Sequence, residues 1–282
     1  MAARGFSVAG MGHLTVRLTQ ALLAQGARLC FGHDWRQHGI LNSLCAYAAV
    51  EPQTSGQESS EAAILNILPW PEHTALPAEL LARLEGLLEV REAGLPEELR
   101  VQAGHRDEPE IRAYLVSRGL THLRHELTRL CGARIAIGGK TAEFLGRYPG
   151  ILEESIFALA AGQPLYLVGL LGGAVEAVGR SILDGEGMPK GFGSGLDEPI
   201  GKALRSLRQM YHDEAAATEI RDPVNDLACD LTAAWCWLQE FGAERFCKLN
   251  GLSVEENREL LETGVEEHAL ALVLAGLRRL KG

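Results

Sequence analysis

The stretch Arg134-Ile-Ala-Ile-Gly-Gly-Lys-Thr-Ala-Glu-Phe-Leu-Gly-Arg-Tyr-Pro-Gly-Ile-Leu-Glu-Glu154 constrains the fold more than any other part of the chain. A short apolar run, 134–137, meets Gly138 and Gly139. A loop follows, and Pro149-Gly150 then opens a helix whose first turn carries Glu153 and Glu154. A strand that turns on glycine into a helix is one half of a strand–helix–strand unit. Open α/β sheets bind ligands at the carboxyl ends of such strands, where backbone N–H groups and helix starts collect.

The rest of the chain repeats this alternation. Residues 6–10 read as a first short strand, and 14–25 as an amphipathic helix closed by Gly26. Buried strands are expected at 27–31, ending at Gly32, and at 62–68, stopped by Pro69. A helix at 38–50, a polar surface loop at 52–61, a short helix at 76–84 and an alternating strand at 87–91 complete this half. A long helix at 108–131 precedes the central strand, and the helix at 150–161 follows it. A strand at 164–168 leads through glycines to a helix ending near Leu183, and 184–195 is a glycine-rich loop. Beyond it only helical patterning is visible, at 200–212, 224–241, 253–262 and 266–280. The expected fold is therefore α/β, a Rossmann-like parallel sheet flanked by helices, with a helical C-terminal extension. The sheet portion is placed at 1–195, and the helical part, 196–282, is expected to pack on the same domain.

At 282 residues and 46% apolar, the chain can bury a sizeable core. Its net charge of −10 argues against a nucleic-acid polymer as partner. A small phosphorylated ligand held by a few cations remains compatible with it. The six cysteines form no CxxC pair and the nine histidines no ligand cluster, so no metal is expected. Reduced core thiols, a cytoplasmic location and no membrane span are the expectations. Trp235 and Trp237 are two apart on a helix and cannot share a face, so one is a candidate for a helix or subunit contact.

Three strand ends carry glycine turns with polar residues: Gly32-His33-Asp34 with Arg36, Gly138-Gly139-Lys140, and the turn to Gly172-Gly173. In a parallel sheet these loops share one side and converge on a crevice. Asp34 and Glu154 suit ribose hydroxyls. Arg36, Lys140 and Arg147 suit phosphates, arginine by a two-pronged contact and lysine as a point charge. Gly139-Lys140-Thr141 is not the end of a P-loop, because Arg134 stands where that motif needs glycine and no helix is expected at Thr141. The turn at 169–173 lacks the GxGxxG spacing of redox dinucleotide enzymes.

These elements together resemble the SLOG superfamily, which includes the SMF/DprA and LOG relatives, and in particular its defence-associated cluster 2 branch. The resemblance rests on 21–36, on Arg118-Gly-Leu-Thr-His-Leu-Arg124, on 134–154, on 162–173 and on 250–260. His33 departs from it, standing where that branch has a second glycine. The resemblance implies a nucleotide-derived ligand such as an ADP-ribose-like molecule or a cyclic nucleotide, sensed in anti-phage defence. It further implies a TIR or other effector as partner and a homo-oligomer, with no resident cofactor beyond the ligand. Ligand contacts would come from Gly32, His33, Asp34, Arg36, Gly138, Gly139, Lys140, Arg147, Gly150, Glu154, Gly172 and Gly173. The LOG branch instead hydrolyses nucleoside monophosphates through a PGGxGTxxE motif. Gly150 and Glu154 match that motif and Ile151 does not, so hydrolysis at Glu154 stands as the alternative to binding.

Overall fold

The computed structural model describes residues 8–32, 62–70, 84–94, 107–193 and 231–280, with isolated positions between 79 and 104. The expected helix at 38–50, the loop at 52–61 and the helix at 200–212 lie outside the described residues. Strand β1 (Leu29–Gly32), β2 (Ile64–Leu68), β3 (Leu88–Glu92), β4 (Arg134–Ile137) and β5 (Leu165–Val168) are all parallel to their neighbours. They form a three-stranded sheet in the order β1-β2-β3 and a two-stranded sheet of β4 and β5. The helices are α1 (Val8–Leu23), α2 (Pro109–Leu130), α3 (Gly150–Ala160), α4 (Ala174–Asp184), α5 (Leu231–Asn250), α6 (Val254–Glu262) and α7 (Glu266–Arg279).

This is the expected Rossmann-like α/β architecture with a helical C-terminal stretch. One element differs. Residues 8–10, read as the end of a first strand, are the first turn of α1. A short apolar run closed by glycine has no period long enough to separate strand from helix.

Burial explains the strands. All four residues of β5 are buried, as a strand covered on both faces requires. Helix α3 and helix α4 close one side, sharing a core cluster with β4, β5 and α5. Helices α6 and α7 join α1 against the remaining faces of Tyr166 and Val168. Contact there is close enough to demand glycine. A Cβ on Gly169 would lie 1.9 Å from the Leu261 carbonyl oxygen, and one on Gly276 would lie 2.6 Å from the Tyr166 ring. The Tyr166 hydroxyl donates to the Asn250 carbonyl at 2.9 Å, and Asn250 donates back to Leu165 at 3.0 Å.

The C-terminal helices have plain local causes. Ser253 and Glu256 make a reciprocal capping box that starts α6. Glu256 also takes two bonds from Arg279 of α7, at 2.6 and 2.7 Å. Helix α5 is broken at Gly242, whose φ of 73° and ψ of 164° are not helical. The first segment therefore ends at Phe241, where the sequence pattern also ends. The second, through Asn250, went unread in the sequence.

Candidate ligand-binding site

The loop between β4 and α3 is shaped by its neighbours. Gly138 and Gly139 have φ of 64° and 94°, a region open to glycine. Their carbonyls accept the N–H groups of Val175 and Ala174, at 2.9 and 3.1 Å, and so cap the start of α4. Gly172 and Gly173 also have positive φ, at 63° and 75°. A Cβ on Gly173 would sit 2.5 Å from the Gly139 carbonyl oxygen, and one on Gly139 would sit 2.4 Å from Ile151. The two glycine pairs thus press the β4 turn, the β5 turn and the first turn of α3 together. Ile151 fills the space beside Gly139, which accounts for an apolar residue at that position.

Directly after the glycines, Lys140 is exposed and has no ion pair or hydrogen bond among the described residues. Residues 141–149 then run without helix, so α3 begins at Gly150, as expected. Pro149 precedes it, and Gly150, Ile151 and Leu152 supply its first three N–H groups. None of the three has a hydrogen-bond partner among the described residues.

Beneath that turn lies a buried ionic network. Glu153 has a fully buried side chain and binds Arg124 of α2, Arg147 at 3.4 Å, and the Thr121 hydroxyl at 2.7 Å. Glu154, 28% exposed, binds Arg134 at 3.0 Å and lies 3.5 Å from Nε of Arg124. Arg134 also donates to Thr128 at 3.0 Å. Thr121, Arg124 and Thr128 recur at helical spacing on one face of α2. Among the described residues, three guanidiniums thus face two carboxylates. Burial alone would raise the Glu153 carboxyl. The Arg124 and Arg147 charges and the Thr121 bond outweigh it and hold the group below its ordinary value. Nη2 of Arg124 has no hydrogen-bond partner among the described residues, and a Cβ on Gly150 would lie 2.9 Å from it. Gly146 likewise leaves room for Nη1 of Arg124, at 3.0 Å from a would-be Cβ. The glycines of this loop therefore make way for an arginine.

The expected site residues fall into three groups. Gly138, Gly139, Lys140, Gly172 and Gly173 meet at the ends of β4 and β5. Gly150, Glu154 and Arg147 gather around Arg124, with the Arg147 side chain 1% exposed and its charge met by Glu153. Gly32 ends β1 against Leu123 and Leu127 of α2, while His33, Asp34 and Arg36 lie outside the described residues. Sequence reasoning did not single out Arg124, Arg134 or Thr121 as a set. The signal was the spacing of Thr121, Arg124 and Thr128 along the helix before the central strand. Among the described residues no group of His, Cys, Asp and Glu could hold a metal ion. No described helix is long and apolar enough to cross a membrane.

Parallel strands with glycine turns at their carboxyl ends, beside a helix start backed by arginines, define a Rossmann-like α/β protein. The sequence matches the family described as SLOG cluster2 over residues 1–260, and the chain belongs to that family. No curated protein and no solved structure matches it significantly.

Proposed function

We propose that this SLOG protein binds a nucleotide-derived signal, of the ADP-ribose-like or cyclic-nucleotide kind, and serves as a sensor in bacterial anti-phage defence. The observation that carries the reading is the arginine cluster under the first turn of α3, where three N–H groups and Nη2 of Arg124 lack partners among the described residues. N–H groups at a helix start together with arginine suit a phosphate oxygen. Lys140 supplies a mobile cation at the rim, and Asp34 and Glu154 supply acceptors for ribose hydroxyls. A TIR or other effector would read the bound state, and a homo-oligomer would transmit it.

A panel of ADP-ribose, cyclic ADP-ribose isomers, NAD and cyclic nucleotides tests the reading by thermal shift. At about a hundred times its dissociation constant, the matching ligand should stabilise the protein by about 2.7 kcal/mol. Lys140→Gln should weaken a phosphorylated ligand roughly tenfold or more, because a charged hydrogen bond contributes about 1.5–3 kcal/mol. A panel without any shift would sink the proposal.

The alternative, an N-glycoside hydrolase, is favoured by the partial exposure of Glu154. Its two arginine neighbours oppose it, since each already engages one oxygen of the carboxylate. Free base released from AMP or NAD by the wild type, and lost in Glu154→Gln, would establish hydrolysis over binding.

A further inference from the structure

The segment 185–193, which follows α4, is a strap pinned at both ends. At its beginning Nε1 of Trp235 donates to the Glu186 carbonyl at 3.0 Å, and Gln239 donates to the Gly185 carbonyl at 2.7 Å. At its end the Gly193 N–H donates to the Thr141 carbonyl at 2.7 Å, and Phe192 is buried edge-on against Trp235. A Cβ on Gly193 would lie 2.6 Å from Leu231 and 4.0 Å from the Phe144 ring, so the strap is pressed onto the loop that follows β4. Between the anchors the chain makes a tight turn. The Phe192 N–H bonds to the Pro189 carbonyl at 3.0 Å, and Gly191 has the φ of 85° that the third position of a type II turn needs. Lys190 occupies the second position of that turn and is exposed.

Lys190, like Lys140, has no ion pair or hydrogen bond among the described residues. That is unusual in a chain with 37 acidic and 27 basic residues. Arg17, Arg28, Arg129, Arg180, Arg258 and Arg279 each have a carboxylate partner. Nearby Glu143 is exposed and in no ion pair among the described residues, and Glu186 lies 3.9 Å from Arg180 instead. The backbone joins the two lysines by a short path. Lys140 adjoins Thr141, Thr141 holds Gly193, and the turn leads from there to Lys190. Lys140 also follows Gly139, which touches Ile151 in the first turn of α3. We infer that Lys190 is a ligand-binding residue, that the strap is the second wall of the candidate site, and that the ligand carries two linked phosphates, one at the start of α3 and one between Lys140 and Lys190. This rests on the nucleotide reading and narrows it to diphosphate esters such as ADP-ribose, against cyclic nucleotides and simple monophosphates. The two positions divide the work. The N–H groups of α3 and Arg124, braced by Glu153, set the place of the first phosphate. The lysines, point charges on flexible four-carbon stems, follow the second.

Calorimetric titration of the full chain with ADP-ribose, inorganic pyrophosphate, AMP and cyclic AMP tests this. The wild type should bind ADP-ribose more tightly than AMP, and pyrophosphate should compete with ADP-ribose. Lys190→Ala should weaken ADP-ribose and pyrophosphate roughly tenfold or more and leave AMP within about twofold, since one charged hydrogen bond is lost from the second phosphate alone. Lys190→Arg should keep most of the affinity, and Lys248→Ala, on α5, should match the wild type. Lys190 is exposed on a turn, so an unchanged melting temperature without ligand shows that Lys190→Ala still folds. Lys190→Ala that binds ADP-ribose like the wild type, or that loses AMP by the same factor, overturns the inference and leaves the nucleotide reading standing. So does a wild type that binds AMP or cyclic AMP but neither diphosphate. A wild type that binds none of the four overturns the inference together with the reading beneath it.

Discussion

Glu153 is the residue on which the region around α3 turns. It is fully buried, and two guanidiniums and a hydroxyl meet it there. Removing its charge leaves Arg124 and Arg147 with less than they need. Glu153→Gln should therefore lower stability by about 3–5 kcal/mol, read as a shifted urea midpoint with an unchanged slope. The pH dependence follows from the same pairing. The folded carboxyl lies below its ordinary value of 4.5, so its contribution is present above that value. It should fade as pH falls through the lower, folded value, and acid unfolding of Glu153→Gln should lack that part of the decline. The sequence made Glu153 legible only as an acid in a first helical turn, which the helix dipole favours anyway. Its partner Arg124 lies 29 residues away on another helix, and no local pattern states such a pairing.

The elements were legible in proportion to the length of their periodic signal. The strand β5 is an unbroken apolar run, β2 is one but for Asn66, and α2 keeps its period over 22 residues. The start of α1 was misread because its Gly10 and Gly12 are poor helix formers, unfavourable by about 1 kcal/mol each relative to alanine. Glycines at loop positions looked alike in the sequence and differ in the fold. Gly169 is pressed against the Leu261 carbonyl, whereas Gly185 has open space but a φ of 69°. Gly169→Ala should cost about 1–3 kcal/mol or more, because backbone must move. Gly185→Ala should cost only the left-handed strain, about 1–2 kcal/mol. Thermal melts of the two variants should rank in that order, and the reverse order would contradict the close approach of α6 to β5.

Across the whole molecule, the C-terminal helices share clusters with the sheet portion. Trp235 of α5 is buried in the same cluster as Leu165, Leu167 and Ile156, and stacks edge-on against Phe192 at 4.9 Å. We expect the two portions to unfold as one unit. Tryptophan fluorescence and far-ultraviolet circular dichroism should then give coincident transitions, and two separated midpoints would show that they unfold independently. The sequence carried the helices of this region but not what they lean on, because tertiary contact leaves no period. The bond from Tyr166 to Asn250 spans 84 residues. On a ribosome that adds about 5–20 residues each second, β5 emerges on the order of ten seconds before Asn250 does. A nascent chain therefore carries β5 with the Tyr166 and Val168 face still uncovered for that interval, and its final shape waits for the last helices to be translated.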